Sequence, residues 1–226
     1  MKQTSLSWRF TKRIFIGFVL SSIVFAGCDA QCDINSMEII SRSEWGALEP
    51  DVQGSIEGEY DAVQNPGGWF EYDTPLPQIL NTIVVHHSAL PLSDGPLQIQ
   101  QKHMDFKGYA DIGYHYLIDE NGNIYEGRSL NVRGAHTGGH NTGTIGIVLL
   151  GNFEETEPTE AQISSLLKLS QCLRDEYQIT HIAGHRDFQP DETVCPGKNL
   201  EALLSGFAQD LNLEFGTQGY VRPSSQ

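Results

Sequence analysis

The sequence predicts an α/β fold: a single domain with a mixed central β-sheet flanked by about three α-helices. Three observations carry this prediction. Short β-branched runs alternate along the chain with segments of helical period, the order that yields one sheet covered by helices. Residues 144–150 are continuously apolar and bounded by glycine, which marks a central strand buried on both faces. Residues 158–177 place Ile163, Leu166, Leu167, Ser170, Leu173 and Tyr177 on one stripe at helical spacing, the pattern of a helix packed against a core.

Taken in order, residues 1–27 read as an export leader. Lys2, Arg9, Lys12 and Arg13 precede an apolar run over 14–25 that is too short for a normal membrane span. Residues 28–36 form a polar spacer, and 37–226 suffice for one domain with its own core. Residues 51–74 are rich in Gly, Asp and Glu without a period. They read as a loop whose Trp69, Phe70 and Tyr72 pack on the body. The first core strand covers 82–86 and the first helix 98–107. Strands over 113–119 and 124–128 are joined through Asn121-Gly122, a hairpin signal. In the helix over 158–177, Thr159 is the N-cap and Glu160 favours the first turn, while Cys172 falls off the apolar stripe. A further strand over 180–184, a last helix over 199–213 and a polar tail after Phe215 complete the chain.

Charge narrows the partners. Without the four basic residues of the leader the chain keeps ten Lys and Arg against 29 Asp and Glu, a net of −19 with His neutral. So acidic a surface argues against nucleic acid and against electrostatic docking on anionic lipid. Of the four cysteines, Cys28 follows Phe25-Ala26-Gly27, which resembles a lipoprotein signal with lipidation at that Cys. Diacylation there supplies a stable membrane anchor. The other reading is cleavage after Ala30 and a soluble product. Cys32 and Cys172 either pair in an oxidising compartment or remain separate thiols.

Chemistry concentrates at residues 182–197, I-A-G-H-R-D-F-Q-P-D-E-T-V-C-P-G. His185 and Cys195 flank a short polar loop, and imidazole with thiolate is a zinc-type donor pair. A third ligand must come from elsewhere. Residues 83–87 end a β-branched run in His86 and His87, which alternation points to opposite faces. All eight histidines lie between His86 and His185.

The motifs V-H-H-S-A, G-Y-H-Y, G-A-H-x-x-G-H-N, I-G-I-V-L-L-G, G-H-R-D and T-x-C-P-G occur in that order, after I-S-R-S-E-W-G-A at 40–47. Together they resemble the zinc-dependent N-acetylmuramoyl-L-alanine amidases that share a fold with peptidoglycan recognition proteins and the phage lysozyme-type amidases. The resemblance runs from about residue 39 to 213. It implies Zn²⁺ on His86, His185 and Cys195, with a fourth position left for water or substrate. A closed site with His181 as fourth ligand is the structural alternative. The resemblance also implies Tyr114 and Thr193 as catalytic residues that stabilise the tetrahedral intermediate. Alternation puts Tyr114 and Tyr116 on one face. His136 and Asn141 then look like substrate contacts, and Arg128, Arg133 and Arg186 are cations that could pair with stem-peptide carboxylates.

The implied reaction is hydrolysis of the amide between the lactyl group of N-acetylmuramic acid and L-alanine. Thr193 matches the recognition-type branch, where phage relatives carry Lys. Val148 stands where the cytoplasmic anhydro-muropeptide amidases carry Glu. Ser129-Leu130 replaces the Gly-Trp that accompanies a diaminopimelate preference. The alternative from another class is a non-catalytic recognition module. Such modules lose the cysteine ligand, which Cys195 retains. The expected partners are peptidoglycan or muropeptides and, through the lipid, a membrane. The expected setting is the cell envelope, periplasmic or outer surface, with the chain acting as a monomer.

Overall fold

The computed structural model describes residues 32–53, 57, 68–218 and 220. The leader, the Cys28 junction, and parts of the 51–74 loop and of the tail fall outside the described residues. The chain divides into residues 1–30 and 31–226, and every element below belongs to the second unit. In chain order these are β1 (Ile39–Ile40), α1 (Leu76–Ile79), β2 (Thr82–His87), α2 (Pro96–Lys107), β3 (Tyr116–Ile118) and β4 (Ile124–Glu126). They continue with β5 (Thr144–Leu149), α3 (Glu160–Tyr177), β6 (His181–Gly184), α4 (His185–Phe188), α5 (Lys198–Asp210) and β7 (Glu214–Phe215).

The strands form one mixed sheet in the order β1-β4-β3-β5-β2-β6-β7. Neighbours run parallel except β3 and β4, the hairpin turned at Gly122, whose φ of 83° suits glycine. β5 is central and buried along its whole length, as a continuous apolar run requires. Alternation sorts its side chains. Ile145, Ile147 and Leu149 join Ile83, Val85 and Ile118 under α3 and α5, which contribute Leu166, Leu169, Leu173, Leu200, Leu204 and Phe207. The opposite face is thinner, with Ile99 of α2 over Ile112, Leu117, Val148 and Leu150. Each large side chain of the main core is worth about 1.5–3 kcal/mol by burial. The thinner face has room for a site.

Thr159 caps α3 as expected: its hydroxyl accepts from the Gln162 N–H, and Gln162 Oε1 accepts from the Thr159 N–H. Cys172 departs from the expectation. It is fully buried and bonded to Cys32 in a disulfide. The buried arc of α3 is wider than one apolar stripe because Ile34 and Met37 of the N-terminal segment also pack on this core. No helix among the described residues is long and apolar enough to cross a membrane.

The first strand of the hairpin is shorter than expected, and this moves a key side chain. The consecutive N–H groups of Gly127 and Arg128 donate to the consecutive carbonyls of His115 and Tyr114, while the His115 N–H turns to Gly146 of β5. Regular pleating therefore begins only at Tyr116. Tyr116 packs in the main core and Tyr114 packs with the α2 face. The expectation that the two tyrosines share a face is corrected: an irregular ladder does not alternate.

Candidate metal centre

His86, the penultimate residue of β2, faces the thin side, and His87, the last, turns into the main core against Phe153. β6 lies beside β2 in parallel and ends at Gly184, so His185 begins α4 next to the end of β2. Cys195 is returned to the same place by the loop that follows α4. The Arg186 N–H donates to the Cys195 carbonyl at 2.9 Å, and the Cys195 N–H donates to Thr193 Oγ1 at 3.1 Å. Gly197 then leaves with φ of 90°, and a Cβ there would lie 2.3 Å from the Phe153 carbonyl carbon. Only glycine fits both the conformation and the space.

One donor atom from each of His86, His185 and Cys195 lies within 4.8 Å of the others. His86 Nδ1 is 3.5 Å from Cys195 Sγ, and the His87 N–H donates to that sulfur at 3.4 Å. His181 is at the far end of β6, where its Nε2 meets Gln218 O and the Glu214 carboxylate. It is not a fourth ligand.

The donors suit a divalent, borderline-soft cation. Burial pushes the Cys195 thiol up to about 12 and holds His86 well below the ordinary imidazole value, with the neighbouring His185 and His136 adding to the effect. His185 is lowered too, mainly by burial, against a raising hydrogen bond from Gln189. Without a cation the three are a neutral thiol and two neutral imidazoles. Lone pairs converge there, and a bound metal is what would draw off the thiol proton.

Tyr114 packs against one member of this group, its ring centroid 5.1 Å from that of His86. Burial raises its phenol far above the ordinary value, so it remains a hydrogen-bond donor. Thr193 is half-buried and, with Arg186, Asp187, Pro190, Glu192 and Val194, lines an open groove of about 860 Å³. Its oxygen accepts from Cys195, which leaves the hydroxyl proton to donate elsewhere.

The structure redistributes the residues expected to touch substrate. Arg128 is 1% exposed and its charge is turned inward to Glu57. All five of its N–H groups are used: Nε to Ile112 O, Nη1 to Glu57 and Arg133 O, Nη2 to Glu57 and Asp111 O. It has no donor left for a peptide carboxylate. Arg133 is buried as well, its guanidinium over the Phe70 ring and bonded to Gly68 O. Asn141 is buried, and its Oδ1 accepts from the His136 and Thr137 N–H groups at 2.8 Å each, a turn-fixing role. His136 is 9% exposed, wedged beside His86 rather than lining a surface. Of the five, Arg186 alone stays on the groove.

Two residues near the centre escaped the sequence reading. Lys107, the last residue of α2, lies over the Tyr109 ring at 5.6 Å, and its charge reaches His86, His185 and Cys195. Gln189 accepts from His185 Nε2 at 2.5 Å. A lysine at a helix end and a glutamine in a polar loop are ordinary in sequence. The i to i+4 spacing of His185 and Gln189 was the available signal for the second.

The fold and the donor group match one class, the α/β domains shared by N-acetylmuramoyl-L-alanine amidases and peptidoglycan recognition proteins. The chain belongs to the N-acetylmuramoyl-L-alanine amidase family, whose model matches residues 76–198. It is 32% identical over 192 residues to peptidoglycan-recognition protein SD of Drosophila melanogaster, covering 80% of this chain and 92% of that one. Among solved structures, N-acetylmuramoyl-L-alanine amidase LysC from Clostridium intestinale is 35% identical, with a TM-score of 0.56 over 64% of this chain and 95% of that one. Peptidoglycan recognition protein LE, solved with tracheal cytotoxin, a monomeric diaminopimelic acid-type peptidoglycan, is 27% identical, with a TM-score of 0.58 over 73% of this chain and 91% of that one.

Proposed function

We propose that the protein is a zinc-dependent N-acetylmuramoyl-L-alanine amidase, hydrolysing the amide between the lactyl group and L-alanine. The observation that carries this reading is the convergence of His86, His185 and Cys195, with the Tyr114 ring packed against that of His86. His86, His185 and Cys195 would hold the zinc, which when bound would supply Lewis acidity toward the carbonyl and lower the pKa of a water. Tyr114, protonated by virtue of its burial, donates to the oxygen that becomes negative as the carbonyl carbon turns tetrahedral. Thr193 adds its hydroxyl from the groove wall, and Arg186 offers a cation to stem-peptide carboxylates on the same groove.

A recognition module is the second reading, favoured by relatives named for recognition. The retained thiol at Cys195 argues for catalysis. Export, the anchor at Cys28 and work at the cell envelope belong to the same proposal. The test is mass spectrometry of muropeptides incubated with zinc-loaded protein. Release of intact stem peptides is the expected result. A zinc-loaded protein that binds muropeptides and never cleaves them establishes the recognition reading instead.

A further inference from the structure

His136 is placed with more care than a groove residue needs. Its ring sits between two glycines: a Cβ at Gly134 or at Gly146 would lie 2.5 Å from its Cδ2. Its backbone is pinned by the Asn141 side chain. Its Nδ1 is 3.0 Å from His86 Nε2 and 2.9 Å from Thr137 Oγ1. Its Nε2 is buried and has no hydrogen-bond partner among the described residues.

The contact at Nδ1 ties this ring to His86. His86 Nδ1 faces Cys195 Sγ at 3.5 Å, so Nδ1 is the nitrogen that would give its lone pair to a metal. A neutral imidazole ligating through Nδ1 carries its proton on Nε2, and that proton needs an acceptor. The acceptor in reach is His136 Nδ1. To accept, His136 must hold its own proton on Nε2, in the glycine slot where nothing receives it. Among the described residues the slot gives Nε2 no partner in either tautomer, so the choice is made at Nδ1, where His86 Nε2 lies at 3.0 Å.

We propose that His136 is a positioning residue: it accepts the Nε2 proton of His86 and so fixes the tautomer that presents Nδ1 beside Cys195 and His185. The proposal rests on the zinc reading of those three residues. It replaces the expectation that His136 touches substrate.

The test uses wild type, His136→Leu and His136→Asn, whose side-chain oxygen stands in for the accepting nitrogen. Zinc affinity is measured by competition with a chromophoric chelator, and muropeptide binding by calorimetry. His136→Leu should bind zinc 10- to 100-fold more weakly, the usual loss when the partner of a metal-bound histidine is removed. His136→Asn should recover most of that loss. A folded His136→Leu protein that binds zinc within twofold of wild type overturns the proposal, especially with weakened muropeptide binding. So does a folded His136→Asn protein no better than His136→Leu. Should the variants not fold, ¹⁵N imidazole spectra of metal-free wild type decide. The Nε2–H tautomer of His86 is expected, and the Nδ1–H tautomer overturns the assignment. A wild type that binds one zinc without cleaving peptide sinks the amidase reading and leaves this one standing.

Discussion

Removing Arg128 should unfold the protein more readily without selectively harming substrate binding. The guanidinium sits against Glu57, itself 3% exposed, and also bonds the carbonyls of Asp111, Ile112 and Arg133. Arg128→Met takes away the partner of a buried carboxylate and leaves three carbonyls short of a donor. Breaking one side of such a pair costs about 3–5 kcal/mol. For a domain of this size roughly 2–4 °C of Tm accompanies each kcal/mol, so a drop of about 6–20 °C is expected. The double variant with Glu57→Leu should recover much of it, because replacing both charges by apolar groups removes the stranded carboxylate. Urea and thermal unfolding measure the loss, and KM on stem peptides with and without free carboxylates measures the rest. A Tm within 2 °C of wild type, with KM raised only for the carboxylate-bearing peptide, would refute the inward assignment.

Four further outcomes are expected. Cys195→Ser should lose zinc and nearly all turnover while binding muropeptide within about tenfold of wild type, about 1.4 kcal/mol; metal analysis and calorimetry check both halves. Tyr114→Phe should keep zinc and lose about a hundredfold or more in kcat, roughly 2.7 kcal/mol upward, and an unchanged kcat refutes its role. His115, buried and pushed down to about 4, accepts from the Gly146 N–H at Nδ1 and is held to Val132 O through Nε2. Because the unfolded chain binds its proton more readily, stability is full above about pH 6.5 and falls as pH drops toward the folded value. The loss is about 2 kcal/mol between pH 7 and 5. Glu201, pushed up to about 7, works in the opposite direction, so the readout is the shallower pH slope of His115→Gln against wild type in urea titrations of the chelated protein. Reducing the Cys32–Cys172 bond, which spans 140 residues, should cost up to about 5 kcal/mol, seen as a lowered Tm that Cys32→Ser reproduces.

What the sequence disclosed follows from what periodicity and local chemistry encode. The apolar run of β5, the Thr159 cap and the opposite facing of His86 and His87 are set by residues a few positions apart, and the structure has each of them. The convergence of His86, His185 and Cys195 needed the family resemblance, because their spacing spans three separate elements. The inward turn of Arg128 was not legible, since its carboxylate lies 71 residues upstream in a segment without a period. Tyr114 and Tyr116 do not share the face that alternation predicts, because alternation assumes a regular ladder and the ladder breaks at Tyr114 and His115. Burial of a polar ring such as His136 leaves no mark in hydropathy. The two glycines that shape its slot lie two positions before it and ten after it.

The bond between Cys32 and Cys172 also decides where a mechanical load would enter. β1 is a two-residue edge strand held to β4 through Ile39 and Ile40, the kind of element that peels first when a chain is drawn from its end. A pull on the N-terminal end, from a lipid or from any other tether, meets Cys32 before it reaches β1. The force then passes through the covalent link into α3, whose Leu166, Leu169 and Leu173 are fully buried in the main core. While the link is oxidised the edge of the sheet lies off the load path, and the proposed metal ligands, on β2 and beyond β6, are spared its strain. Once it is reduced, the same pull would act first on β1.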